Sequence, residues 1–123
     1  MTQIPEILLK KAEELEQKTA EQFPSLTPLV KQCFLNTIET TVQQLDDGSY
    51  FVITGDIPAM WLRDSAAQVK PYIKYAKEDE SLRAILRSII EKHAFYVNMD
   101  PYSNAFNAAE NHNEVGYADH TDW

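Results

Sequence analysis

The sequence predicts an all-α fold in which helices pair as hairpins, with a short extended segment near residues 49–54. Apolar residues recur every three or four positions over most of residues 6–97, which is the spacing of amphipathic helices. Short segments of turn-favouring residues separate the helical stretches, as in helical hairpins. Residues 49–54 combine β-branched and aromatic side chains between two glycines, which favours an extended segment over a helix.

The first two predicted helices lie on either side of Pro24. Residues 6–23 place an apolar stripe among Glu and Lys residues, and Pro24 ends the pattern. The second helix has Thr27 as its cap and Pro28 in its first turn, and it ends at an acidic turn at residues 46–48. Adjacent apolar pairs between these limits predict one deeply packed face.

A second hairpin is predicted over residues 65–97. Its first helix starts near Asp64, and Pro71 kinks that helix or marks its true first turn. Asp79 offers a cap for the helix over residues 80–97. The apolar stripe of this last helix consists of Leu82, Ile85, Leu86, Ile89, Ile90 and Tyr96.

Composition and charge argue against several classes of protein. The 123 residues contain 11 Lys and Arg against 19 Asp and Glu, and this net charge of −8 disfavours nucleic acids and anionic membranes as partners. Cys33 is the single cysteine, so neither an intramolecular disulfide nor a cysteine-pair zinc site can form, and its apolar stripe predicts a buried thiol. No stretch approaches the roughly 18 apolar residues of a membrane span, and the N-terminus lacks a basic start before an apolar run. The expected compartment is cytoplasmic.

The most informative stretch is residues 54–65, TGDIPAMWLRDS, at the turn between the extended segment and a helix start. A carboxylate can accept hydrogen bonds from two neighbouring sugar hydroxyls, a guanidinium donates in a fixed fork, and an indole covers the apolar face of a pyranose. A structural alternative stays open, in which Asp64 or Ser65 caps the following helix. Arg63 then pairs with Asp56.

A second polar motif, residues 100–107 with the sequence DPYSNAFN, begins a region without hydrophobic periodicity. Residues 98–123 are therefore expected to form a long irregular loop. Asp-Pro and the asparagines favour a turn with Asx hydrogen bonds, but asparagine side chains also donate to and accept from sugar hydroxyls. Both a structural turn and a binding loop fit the motif.

Four titratable residues in the same region are possible metal ligands: His112, Asp119, His120 and Asp122. They lie in the predicted loop without the spacing of a recognised motif, and a metal site needs three or four ligands on a rigid frame. The chain also has no glycine-rich phosphate loop and no serine in a nucleophile elbow. Neither a metal nor a cofactor is predicted.

Together, residues 54–65, the following AAQVKPY of residues 66–72 and the motif at residues 100–107 resemble glycoside hydrolase family 125, the exo-α-1,6-mannosidases of bacteria and fungi. The first block is long, contiguous and rich in rare residue types, and the second block follows after one helix. The resemblance extends from about Leu26 to Trp123.

This resemblance implies a metal-independent enzyme that removes terminal α-1,6-linked mannose with inversion, from an α-mannoside or an oligosaccharide derived from an N-glycan. The implied fold is an (α/α)6 barrel of six helical hairpins, of which residues 1–123 would be the incomplete N-terminal part of a single catalytic domain. In an inverting glycosidase, one carboxylic acid protonates the leaving oxygen and one carboxylate activates water. The family carries this acid and base beyond residue 123, so the resemblance assigns no catalytic residue within the sequence.

The resemblance also implies six substrate-binding residues. Three lie in the first motif, at the subsite for the terminal sugar, and three lie in the later loop: Trp61, Arg63 and Asp64, then Asn107, His120 and Asp122. Two other functions stay open. One is a helical sugar-binding or interaction module without catalysis. The other is a different six-hairpin glycosidase, because Trp-x-Arg-Asp turns at a helix start suit sugar pockets generally.

The hairpin over residues 65–97 predicts where the two motifs lie relative to each other. A helical hairpin returns the chain to the end from which it started, and the motifs flank this hairpin. Residues 55–65 and 104–107 are therefore expected to line one pocket, with Trp61 and Phe106 supplying its apolar surface.

Overall fold

Helices make up most of residues 2–108, the part of the chain that the computed structural model describes. The helices are α1 (Glu6–Gln22), α2 (Thr27–Asn36), α3 (Leu62–Val69) and α4 (Glu80–Met99). The strands are β1 (Val42–Gln44), β2 (Tyr50–Val52), β3 (Ala59–Trp61) and β4 (Ala105–Asn107). The strands pair as two separate sheets, β1 with β2 and β3 with β4. The fold is therefore mostly helical rather than all-α, and the sequence pattern predicts one of these strands, β2.

α1 has nearly the bounds that the sequence predicts, because Pro24 opens a 3₁₀ turn that the helix does not enter. α1 and α2 pack against each other across this short connection, as the first predicted hairpin requires. Phe23 is 58% exposed after the end of α1. The buried residues of α1 lie in its first two turns and are Ile7, Leu8 and Ala12.

α2 ends at Asn36, well before the turn at residues 46–48 that the pattern predicts as its end, and Val42 already begins β1. The segment between them is a π-helical turn. The hydroxyl groups of Thr40 and Thr41 donate to the carbonyl oxygens four residues earlier, each at 2.7 Å. Such bonds compete with the helical ladder, and β-branched residues favour strands, so the threonines override the apolar spacing.

The predicted cap and the predicted buried face of α2 are both wrong. The helix begins at Thr27, with Leu26 at the cap position and no side-chain cap, although Pro28 does lie in the first turn. Leu35 is the one buried residue of α2, and Cys33 is exposed. α2 therefore contributes a narrow strip to the core instead of a whole face.

The first sheet confirms the predicted extended segment. β1 and β2 run antiparallel with Val42 opposite Val52. The turn between them, which the pattern assigns to a helix end, contains Gly48 at a φ of 82°, a conformation that glycine adopts without strain. Tyr50 donates its backbone N–H to the hydroxyl oxygen of Ser88 at 2.9 Å, and this bond fastens the sheet to α4.

The structure confirms a break at Pro71 and a cap at Asp79 in the segment predicted as a second hairpin. After α3 the chain forms a 3₁₀ segment with Pro71 in its first turn. α4 follows Asp79 and extends to Met99, slightly beyond its predicted end. Ile90 is 65% exposed, although the other members of the predicted stripe are buried. Its position, one residue past a core position, rotates it by about 100° towards solvent.

One cluster of buried apolar residues holds these elements together. More residues of this cluster come from α4 than from any other helix. The fully buried members of the cluster include residues of α1, the π-helical turn, β2, β3 and α4: Leu8, Ile38, Phe51, Met60 and Leu82. Burial of apolar area, at roughly 25 cal/mol per Å², is the main favourable contribution to folding. Within residues 2–108 no helix is both long enough and apolar enough to cross a membrane.

The carboxylate of Asp79 joins the N-termini of two helices. Its Oδ1 accepts hydrogen bonds from the hydroxyl of Ser81 at 2.7 Å and from the backbone N–H of Leu82 at 2.9 Å, which caps α4. Its Oδ2 accepts from the backbone N–H of Ile7, in the first turn of α1, at 3.2 Å. The bond from Ser81, followed by that from Leu82, holds the pKa of Asp79 below its ordinary value.

We expect Asp79→Ala to lower the free energy of unfolding by about 1–2 kcal/mol at neutral pH, within the usual range for a lost N-cap. Because folding depresses the pKa of this carboxyl, its stabilisation is complete above the ordinary carboxyl pKa of about 3.9 and is lost as the pH falls through the lower folded value. The difference between the two proteins should therefore vanish in acid. Urea denaturation at successively lower pH measures it.

Asp79→Ser is the matched control for this experiment. A serine at the same position can cap α4 but does not reach the N–H of Ile7 at the same time. Its stability should lie between those of the alanine variant and the unsubstituted chain. Equal stability of all three proteins at neutral pH would contradict the role assigned to Asp79.

Candidate functional site

Thr54 fixes the turn that carries the first motif. Its backbone N–H and its hydroxyl both donate to the carbonyl oxygen of Ala59, at 2.9 and 3.0 Å. The hydroxyl oxygen accepts the backbone N–H of Trp61 at 2.8 Å. Gly55 follows with a φ of 80°, a conformation that a residue with a Cβ adopts only with strain. The chain is therefore held in a closed turn between Thr54 and Trp61.

β3, which ends in Trp61, pairs antiparallel with β4 from the second motif. The register places Trp61 opposite Ala105, and the backbone N–H of Leu62 extends the ladder by donating to the carbonyl oxygen of Asn104 at 3.0 Å. The two motifs therefore lie side by side at the two ends of the chain segment formed by α3 and α4, as hairpin geometry predicts.

β4 corrects part of the prediction that residues 98–123 form one irregular loop. In the described part of this interval α4 first runs to its end, Asp100 then accepts the backbone N–H of Tyr102 at 2.9 Å, and residues 105–107 form the strand. The Asx turn is thus confirmed. The strand forms because pairing with β3 satisfies backbone groups of both segments. Residues 109–123 lie outside the described range.

Tyr96 on α4 anchors β4. Its phenol donates to the carbonyl oxygen of Asn107 at 2.9 Å, and its ring stacks on Phe106 with centroids 4.4 Å apart and planes 4° from parallel. Burial raises the pKa of Tyr96 to about 12, so the phenol stays protonated and keeps donating at neutral pH. Phe106 is only 4% exposed. The prediction that it supplies apolar surface to a pocket is therefore wrong, because it belongs to the core.

Ser65 ties the start of α3 to α4. Its hydroxyl lies 2.8 Å from the carbonyl oxygen of Trp61 and 2.7 Å from Nε2 of His93. Ser65 is fully buried, and burial also lowers the pKa of the His93 imidazole, which favours a neutral ring at this contact. These contacts hold the junction between β3 and α3.

Arg63 and Asp64 lie in the first turn of α3, which begins at Leu62, so neither Asp64 nor Ser65 caps this helix. Arg63 pairs with Asp64 instead of Asp56, at 3.4 Å between Nη2 and Oδ2. The Arg63 side chain is 89% exposed and that of Asp64 is 46% exposed, so the ion pair contributes little to stability. Both charged groups are accessible to a ligand.

A concave pocket of about 350 Å³, termed the turn pocket, lies against this motif. Its lining residues come from the turn and from one face of α3: Thr54, Gly55, Asp56, Ile57, Trp61, Arg63, Asp64 and Gln68. A guanidinium, two carboxylates and an indole thus line one cavity. This set of donors, acceptors and apolar surface suits a ligand with several hydroxyl groups and an apolar face.

A second pocket of about 350 Å³, termed the loop pocket, shares three of these residues. Its lining residues are Trp61, Leu62, Arg63, Asp64, Ser103 and Asn104. The two pockets therefore meet at Trp61, Arg63 and Asp64, the three residues that the family resemblance assigns to one subsite. Each pocket has a volume in the usual range for small ligands.

Of the other predicted binding residues, Asn107 alone lies in the described range. Asn107 is on β4, opposite Ala59 of β3, and lies on the same sheet face as Trp61. It does not line the loop pocket. His120 and Asp122 lie outside the described residues. Within residues 2–108, no three His, Cys, Asp or Glu side chains lie close enough together to hold a metal ion.

Three lining residues lie outside the predicted pocket segments 55–65 and 104–107: Thr54, Gln68 and Ser103. Gln68 lies four residues after Asp64 on α3, so helical spacing alone indicates that the two share a face. Ser103 lines the loop pocket because β4 pairs with β3, and no local pattern in the sequence reveals that pairing.

One family model matches this chain over most of its length. The family model for metal-independent alpha-mannosidase (GH125) matches residues 24–122. The meiotically up-regulated gene 157 protein of Schizosaccharomyces pombe is 38% identical over 103 residues, which cover 79% of this chain and 20% of that protein.

A solved structure is also similar to this chain. It is described as a metal-independent alpha mannosidase of Streptococcus pneumoniae in a non-productive complex with alpha-1,6-mannobiose. The two share 41% sequence identity and a TM-score of 0.80, over 91% of this chain and 26% of the solved chain. The present chain thus spans about a fifth of the length of the curated relative and about a quarter of the solved structure.

We expect Thr54→Val to loosen the turn, because the valine side chain keeps the shape of threonine but can neither donate to the carbonyl of Ala59 nor accept the N–H of Trp61. The free energy of unfolding should fall by about 1–3 kcal/mol, since a polar group loses its partner. Thr54→Ser retains the hydroxyl and is the matched control. Amide hydrogen exchange at Trp61 should accelerate in the valine variant alone. If both variants exchange at the rate of the unsubstituted chain, Thr54 does not hold the turn.

Proposed function

Because this chain belongs to the metal-independent alpha-mannosidase family (GH125), we propose that it supplies the binding site for the terminal mannose of an inverting exo-α-1,6-mannosidase. The observation that carries the proposal is the meeting of the turn pocket and the loop pocket at Trp61, Arg63 and Asp64. A sugar ring in contact with these three residues would have the turn pocket on one side and the loop pocket on the other. The proposed substrate is an α-mannoside or an oligosaccharide derived from an N-glycan.

Each of the three groups suits a different part of a mannose ring. The indole of Trp61 is 38% exposed and offers apolar area to the C–H face of the sugar. The carboxylate of Asp64 accepts hydrogen bonds from hydroxyls, and the guanidinium of Arg63 donates to them. Their contact at 3.4 Å keeps donor and acceptor adjacent, which matches a hydroxyl group that both donates and accepts.

The solved mannosidase supports the substrate and the fold of this proposal. It holds alpha-1,6-mannobiose, and its similarity to this chain, at a TM-score of 0.80, covers 91% of the chain. We therefore propose that the helical hairpins of residues 2–108 form part of an (α/α)6 barrel. The loop pocket lies where the pairing of β3 with β4 brings together the two chain segments that flank α3 and α4.

In this proposal residues 54–68 bind the sugar and do not transfer protons. Inverting hydrolysis needs a carboxylic acid and a carboxylate about 6.5–9.5 Å apart, with water between the base and the sugar. Asp64 faces an arginine at 3.4 Å and is open to solvent, a setting that suits an acceptor of hydroxyl groups. We place the acid and the base outside residues 2–108 and propose Asn107, His120 and Asp122 as further sugar contacts.

We expect the 123-residue chain to bind α-1,6-mannobiose without hydrolysing it, because the proposed acid and base lie after residue 123. Release of mannose from this disaccharide and from an aryl α-mannoside measures turnover, and an NMR titration with the disaccharide measures binding. Turnover that persists after repurification would contradict the placement of the acid and base. Absence of binding would contradict the proposed site.

Asp64→Ala should weaken the binding of α-1,6-mannobiose by about 10- to 150-fold, since a hydrogen bond to a charged group contributes about 1.5–3 kcal/mol. Asp46→Ala is the matched control, because Asp46 is an exposed aspartate in the turn between β1 and β2. Its affinity should equal that of the unsubstituted chain. Small and equal effects of the two substitutions would show that Asp64 does not contact the sugar.

A further inference from the structure

The buried hydroxyl of Ser65 has three polar neighbours but a single hydrogen to donate. Its oxygen lies 2.8 Å from the carbonyl oxygen of Trp61, 3.1 Å from that of Leu62 and 2.7 Å from Nε2 of His93. Carbonyl oxygens only accept, so a hydrogen that pointed to His93 would leave the hydroxyl oxygen against two further acceptors with no hydrogen between them. The hydrogen therefore points to the carbonyl oxygens, and Nε2 of His93 is the donor in the third contact.

This assignment also determines the form of the imidazole. A neutral histidine carries its hydrogen on one ring nitrogen, and the hydrogen bonds of the ring decide which one. Because Nε2 donates to Ser65, the neutral ring of His93 carries its hydrogen on Nε2. Burial lowers the pKa of His93, so the neutral form predominates at pH 7.

The bond from His93 connects the candidate site to α4. Ser65 lies in the first turn of α3 together with Arg63 and Asp64. The bonds from Ser65 to the two carbonyl oxygens are local, since they join residues three and four positions apart, and they shape the turn without fixing its place in the fold. Of the three contacts, only the one with His93, 28 residues away in sequence, reaches another helix.

We propose that His93 is a positioning residue of the mannose subsite, which donates from Nε2 to the hydroxyl of Ser65 and thereby holds the first turn of α3 in place for the sugar. This inference rests on the proposed function. The accessible ion pair of Arg63 and Asp64 contributes little to its own order, so the buried side of the turn must supply that order. A site that is ordered before binding loses less conformational freedom when the ligand binds.

The test compares two substitutions of His93. His93→Leu removes the donor, and the affinity for α-1,6-mannobiose should fall by about 3- to 10-fold, the effect of one ordinary hydrogen bond. His93→Gln places an amide donor near the position of Nε2 and should retain most of the affinity. Unchanged affinity in the leucine variant, or the same loss in both variants, would overturn the proposal.

Ser88→Ala separates positioning of the site from a general loss of stability. Ser88 also lies on α4, and its hydroxyl accepts the backbone N–H of Tyr50, but neither residue lines the turn pocket or the loop pocket. Urea denaturation should show a loss of stability in Ser88→Ala, whereas its affinity for α-1,6-mannobiose should equal that of the unsubstituted chain. If Ser88→Ala weakens binding as much as His93→Leu does, His93 has no specific effect on the site and the proposal is wrong.

Ser65→Ala tests whether His93 acts through Ser65. In that case His93→Leu causes no further loss of affinity in a chain that already carries Ser65→Ala, because the two residues form one interaction. Losses that add in the double variant would show that His93 acts by another route.

The tautomer of His93 can be measured on the unsubstituted chain without a sugar. The ring-nitrogen NMR signals should show a hydrogen on Nε2 and none on Nδ1 at neutral pH. The opposite tautomer would contradict this inference even in a chain that binds α-1,6-mannobiose. The expected tautomer in a chain that binds no α-mannoside would instead contradict the proposed function, and with it the role of His93 in binding.

Discussion

The pairing of β3 with β4 is the constraint on which the candidate site depends. β3 leads directly into α3, so a shift of the ladder by one residue would move Trp61 to the other face of the sheet and displace the start of the helix. Three side chains oppose such a shift: Thr54 from the turn, Ser65 from the helix and Tyr96 from the core. The groups that hold the site are buried and hydrogen-bonded, whereas those that face the pockets are accessible.

Sequence patterns predict the helices best where an apolar period runs for several turns, as in α1 and α4, because burial of one face stabilises the whole helix. Apolar periodicity does not predict the short strands. β1, β3 and β4 contain three residues each, and β3 and β4 find each other across the whole second hairpin, so no local period marks them. In α2 the side-chain bonds of the threonines, invisible to a count of apolar residues, end the helix early.

The part of the candidate site that lies within one contiguous motif, residues 54–65, could be predicted from the sequence. Trp61, Arg63 and Asp64 stand within four residues of one another, and their residue types fit both a sugar site and a helix start with a local ion pair. The family resemblance assigns them to a sugar subsite. Helical spacing also makes Gln68 a neighbour of Asp64. Phe106 could not be judged in this way, because an aromatic residue in a turn-rich segment fits a pocket wall and a core equally well. Its stacking on Tyr96 decides for the core.

α1 lies outside the segment that the family model matches but inside the packed core. The family match begins at residue 24, after α1 has ended. Yet Leu8 and Ala12 are fully buried in the core, and the first turn of α1 is bonded to the carboxylate of Asp79 at the start of α4. A boundary drawn at residue 24 would remove one wall of the core and expose apolar residues packed against it. The packed core therefore extends further towards the N-terminus than the segment that the family model matches.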